Sequence, residues 1–254
     1  MGVTTRILVF PNAEEKLKKF SVLEKLAEEG ASVEYGSIHL YNKDYDLDKT
    51  IRLLFKVFVQ TRLQRDGISN IYRVDLDVPV EHDSLEGLFT VKEKREVYLV
   101  HFLQPPVENM AIMTTQHSAS TIRYALRALS KQGFSPVESY IELPLGKRAV
   151  DVLKELGNIG WVYVSDIPDV HLKGAGLYGS RLQNSEVLED LVIRGGRVKA
   201  AVIEHAEKGM RIVISERGTI YSQRSLDIIS MARVTVGIIS ILNKYKLIRY
   251  KSIY

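Results

Sequence analysis

Apolar residues fall at every second position across 71–80. Tyr72, Val74, Leu76, Val78 and Val80 alternate with Arg73, Asp75 and Asp77. A period of two predicts a strand with one buried face. Similar runs predict strands at 6–10, 32–40, 95–103, 110–115, 139–143, 197–204, 210–215 and 218–222, and another from Trp161 to near Pro168. Helical spacing predicts α-helices elsewhere. The first is 13–29, with Asn12 as its N-cap and Leu17, Phe20, Leu23 and Leu26 on one side. A second, capped by Asp48, covers 49–65 through Leu53, Leu54, Val57, Phe58 and Thr61. A short one runs from Ser84 to Phe89. Others are expected at 121–132, behind Ser118 or Ser120, and at 147–156, 185–193 and 225–244. Glycines make 173–181 a loop.

The pattern repeats. Leu85-Glu86-Gly87-Leu88 and the run from Arg95 to Phe102 have partners in Leu188-Glu189-Asp190-Leu191 and the run from Arg197 to His205. The offsets are 188 − 85 = 103 and 197 − 95 = 102. Each copy then opens a strand on a methionine, Met110 or Met210, and ends in a helix. A strand–helix pair precedes each copy. The expected fold is α+β, a duplicated unit with a curved, mainly antiparallel sheet and long helices on one face. It divides into an N-terminal unit (1–70), a first half-repeat (71–138) and a second with a strand–helix insert (139–254), or forms one compact domain.

The stretch from Val162 to Leu242 resembles one repeat of the TATA-box-binding protein family. The likeness lies in the element order, in the segment from Met210 to Ser222 and in the long helix after it. It implies a saddle, with the sheet beneath and the helices above. Ile214 and Ile220 flank the turn where that family has paired phenylalanines. The resemblance therefore implies a topology and leaves out promoter recognition.

Composition narrows the function. The chain is 45% apolar and 26% charged, as folded proteins are. It has no cysteine, which excludes disulfides, thiolate metal sites and a cysteine nucleophile. No apolar run approaches the roughly 20 residues of a membrane span, and the N-terminus has no signal-peptide core, so a cytoplasmic protein is expected. Abundant Ile, Val, Glu, Lys and Arg would suit a thermophile. The formal net charge of +4 permits a nucleic-acid partner.

Ten cations sit on the turns and strands of the two halves and around the glycine loop: Lys92, Lys94, Arg95, Lys173, Arg181, Arg194, Arg197, Lys199, Arg211 and Arg217. In a duplicated sheet they would hold phosphates, and Tyr98, Tyr178 and Tyr221 would stack on bases. The leading expectation is a nucleic-acid-binding protein that is not an enzyme and carries no cofactor. One alternative is a scaffold subunit that docks a protein or a second copy, through its sheet or the apolar last helix. The other is a nucleotide or small-molecule enzyme using 173–181. Gly174-Ala175-Gly176-Leu177-Tyr178-Gly179 does match a dinucleotide fingerprint, but it lacks the strand-to-helix setting that motif needs. His82 with Asp83, and His171 with Asp169, could ligate a metal; no paired-histidine spacing accompanies them, and no metal is expected. Asp75 and Asp77 read as a solvated strand face. Ile238 lies on a helix apolar almost all round, which predicts a core position.

Overall fold

The computed structural model describes residues 2–29, 32–42, 47–60, 69–84, 87–103, 107, 109–142, 147–205, 210–224 and 226–250. Its elements run β1 (Val3–Val9), α1 (Ala13–Glu28), β2 (Ser32–Asn42), β3 (Leu47–Gln60), β4 (Ser69–Ser84), β5 (Gly87–Phe102), β6 (Met110–Thr115) and α2 (Ala119–Lys131). There follow β7 (Val137–Ile141), α3 (Lys147–Leu156), β8 (Asn158–Ser165), β9 (Gly174–Tyr178), α4 (Glu186–Ile193), β10 (Arg197–His205), β11 (Met210–Ser215), β12 (Thr219–Ser222), α5 (Ile228–Lys244) and β13 (Ile248–Tyr250). The class is α+β, as expected. One antiparallel sheet runs β2-β3-β4-β5-β6-β1-β12-β11-β10-β8-β9, and β7 ties β13 to β1.

β1 joins the halves. It pairs with β6 along most of its length and with β12 over its first four residues, so Thr5 lies between Thr114 and Ile220. Alternation along β1 then splits the interior in two. Leu8 and Phe10 enter one core with Tyr72, Val74, Leu76, Val97, Leu99, Ala111 and Met113, under α1 and α2. Val3, Ile7 and Val9 enter the other with Val162, Val164, Ala201, Ile203, Ile212, Ile214 and Ile220, against α3, α4 and α5. The helices therefore cover opposite faces, which corrects the expectation of long helices on one face. Ile238 is 6% exposed in the second core, as its helix pattern foretold.

Three local expectations also change. Residues 49–65 were expected as a helix, but β3 occupies Leu47–Gln60, with Phe55 opposite Leu76 and Val57 opposite Val74. Ile51, Leu53, Phe55, Val57 and Val59 also alternate, and neighbours on both sides resolve the ambiguity in favour of a strand. In place of a helix from Ser84 to Phe89, β4 and β5 pair out to Ser84 and Gly87. Within the echo of 85–88 in 188–191, Gly87 and Leu88 thus lie in a strand where Asp190 and Leu191 lie in helix α4. The glycine loop is largely β9. What the fold repeats is an element order: three antiparallel strands and a helix, as β4-β5-β6-α2 and as β10-β11-β12-α5.

Candidate functional site

Among the described residues, helix cover on the α1–α2 face stops at β1. The core beneath those helices contains no residue of β8–β12. The same face of those five strands carries a row set by register: Tyr178 beside Trp161, Trp161 beside Val202, Val202 beside Val213, and Val213 beside Tyr221. A second row holds Gly176, Tyr163, Ala200 and Ser215. None of these side chains is fully buried. Tyr178 is 82% exposed and Tyr163 40%.

The aromatic side chains lie against one another. The Trp161 and Tyr163 rings stack with centroids 6.4 Å apart and an interplanar angle of 11°. Tyr178 meets Trp161 at 6.1 Å and 50°. Gly174 makes room for Tyr163, whereas a side chain at Gly176 would only touch Trp161. A Cβ at Gly174 would stand 2.8 Å from the Tyr163 hydroxyl and 3.2 Å from the Val164 carbonyl, and one at Gly176 would stand 3.6 Å from Trp161 Nε1. The glycine at the start of this edge strand thus leaves the space that the Tyr163 ring occupies. The Trp161 indole N–H is buried with no acceptor among the described residues. An unpaired buried donor costs about 1–3 kcal/mol.

The ten expected cations do not form one stripe. Arg197 follows Ser165 and Gly174 in the next row of the open face, and Arg211 lies on that face at the other end, opposite Glu204. Arg211 reaches Glu204 at 3.6 Å. Lys199 is held by Glu216 at 2.7 Å and Asp166 at 3.4 Å, and these carboxylates raise its pKa. Arg194, at the end of α4, pairs with Asp190. Lys173 gives its ammonium to the Asp169 carbonyl beside the start of β9. Arg181 is exposed just past β9, and Arg217 is exposed in the β11–β12 turn. Arg95 is in the other half, bound to Glu93 and to Thr121 of α2. Lys94 is exposed on β5, and the Lys92 side chain lies outside the described residues. Arg181, Arg197, Arg217 and Lys94 have no side-chain partner among the described residues.

Of the three tyrosines, Tyr178 and Tyr221 join the open face. Tyr98 does not. It packs on the opposite face, donates to Glu96 at 2.7 Å, and burial pushes its pKa up to about 12. Trp161 and Tyr163 were missed. Their signal was a strand apolar at successive positions, Trp161-Val162-Tyr163-Val164, with Val162 and Val164 in the covered core and both rings on the side left open.

The metal pairs gain no support. Asp169 accepts from the backbone N–H groups of Leu172 and His171, which hold its carboxyl below the usual range and fold its own loop. The side chains of His82 and Asp83 lie outside the described residues. No group of three metal-ligating side chains occurs among the described residues. Asp75 pairs with Arg73 at 2.8 Å, in keeping with a solvated polar face. Among the described residues no helix is long and apolar enough to cross a membrane. Comparison with models of known protein families, with curated proteins and with solved structures gave no significant match.

Proposed function

We propose that the protein binds single-stranded nucleic acid across the open face of β8–β12. The observation that carries this reading is the contact cluster of Trp161, Tyr163 and Tyr178 on a sheet face that no helix covers among the described residues. Sheet aromatics offer flat surfaces on which unpaired bases stack, and this tolerates any sequence because every base has a π-face. A duplex keeps its bases stacked inside and cannot use such a surface. Arg197 at one end and Arg211 at the other supply positive charge where a phosphate backbone would pass. The contribution from charge is moderate, because Lys199 and Arg211 already neutralise carboxylates.

The test is fluorescence anisotropy at low salt with labelled mixed-sequence single strands and a duplex. The single strands should bind more tightly. Trp161→Ala and Tyr178→Ala should each weaken binding by about 1–3 kcal/mol, the usual worth of one stacked base. A duplex bound as well as the single strand, or variants that bind like the parent, would reject the reading. A wild type that binds no nucleic acid would leave the face to a protein partner.

A further inference from the structure

Helix α2 carries Arg123, Arg127 and Lys131 at four-residue intervals. That spacing puts the three on one side of the helix, about 6 Å apart along its axis. They border a groove of about 520 Å³ with Ser130, over an apolar floor of Leu8, Leu126 and Pro136. Neither Arg123 nor Arg127 has an ion-pair or hydrogen-bond partner among the described residues. Like charges at this spacing cost a few tenths of a kcal/mol on an isolated helix. On and beside the open face, by contrast, Lys173, Lys199 and Arg211 each sit on a carboxylate or a carbonyl.

The groove lies where helix cover ends. Leu8 shares a face of β1 with Arg6, and Arg6 is paired with Thr219 of β12, the first uncovered strand. From β1 the open face continues over β12, β11 and β10 to Trp161 on β8. That row reaches β1 at Thr4, four strand spacings or about 19 Å from Trp161, and Leu8 lies four residues, about 13 Å, further along β1. A single strand laid across the sheet would meet the aromatic rings at one end and the α2 cations at the other.

We propose that Arg123, Arg127 and Lys131 form a phosphate-binding wall, which holds the backbone of the same strand whose bases stack on Trp161 and Tyr178. The inference rests on the reading of the open face as a single-strand site. It assigns the unpaired guanidinium groups to nucleic-acid phosphates, and it sets a length requirement. Both ends are engaged only by a ligand several nucleotides long, within the roughly 4–16 nucleotides such surfaces cover.

The experiment compares strands of about 12 and about three nucleotides on the wild type, Arg123→Gln/Arg127→Gln and Trp161→Ala. Both arginines are exposed and unpartnered, so the double variant should melt with the wild type. It should bind the long strand at least about tenfold more weakly. Its log–log salt slope should fall by about 1.4, at about 0.7 per phosphate on a single strand. Its affinity for the short strand should stay as it was. Trp161→Ala should weaken both strands. If the double variant keeps the affinity and slope for the long strand while Trp161→Ala loses them, the wall is wrong and the stacking face stands. If neither strand binds the wild type, both readings fall together.

Discussion

His101 shows how one side chain can tie stability to pH. It is 3% exposed, stacks on Phe20 at 3.9 Å and 12°, and has no partner for either ring nitrogen among the described residues. Lys16, 2% exposed, gives its ammonium to the neighbouring Phe102 carbonyl at 2.5 Å. Burial first, then the Lys16 charge, lowers the His101 pKa to about 4. In the unfolded chain it titrates near 6.5. Between those values the unfolded state takes a proton that the folded state refuses. The contribution is complete above about pH 6.5 and is lost as pH falls toward 4, by roughly 3 kcal/mol. Urea denaturation at pH 7.5 and 4.5 measures it. His101→Phe, which keeps an apolar ring against Phe20, should flatten the difference; an equal pH dependence in both proteins would contradict the assignment.

At the scale of elements, caps separate two helices that look alike in sequence. Asp227 starts α5, and its carboxylate accepts the Ser230 N–H at 2.9 Å, a bond that keeps its pKa low. Ser118 starts α2 with no side-chain bond to the helix. Asp227→Ala should therefore cost about 1 kcal/mol, or about 2–4 °C in Tm, and Ser118→Ala close to nothing. Equal shifts in thermal unfolding would refute the difference. Much at this scale was legible. The strands at 110–115 and 210–215 fall at the expected positions, α1 starts on Asn12, and α2 stops at Gly133, which takes a φ of +95°. The failures share a cause. β3 satisfies both a helical and an alternating period, and β9 is glycine-rich, so the pairing of Phe55 with Leu76 and of Tyr178 with Trp161 decided each, and neither partner is local.

For the whole molecule, the decisive feature is that two cores lie on opposite faces of one sheet. Among the described residues each half keeps a stretch of strand outside these cores, and the two stretches differ. On β4 and β5, Arg73 binds Asp75 at 2.8 Å and Glu96 at 2.6 Å, a network suited to water. On β8–β12 the row is Tyr178, exposed, with Trp161, Val202, Val213 and Tyr221 half-buried beside it. The candidate site was legible only in part, through Tyr178, Tyr221, Arg197 and Arg211. The alternation of a strand shows that it has two faces, but which face a helix covers depends on where the chain goes next. That is why nothing in the strand from Trp161 marked Trp161 and Tyr163 as site residues, and nothing in the helix at 121–132 singled out Arg123 and Arg127.

Trp161 is the chain's single tryptophan, so its emission reports on the open face alone. The most direct measurement is a titration of that fluorescence with an unlabelled single strand of about 12 nucleotides, beside anisotropy of a labelled copy. The expected result is saturable quenching that follows the anisotropy curve and weakens with salt. Binding seen by anisotropy with tryptophan emission unchanged would place the ligand elsewhere and contradict the assignment of the aromatic face.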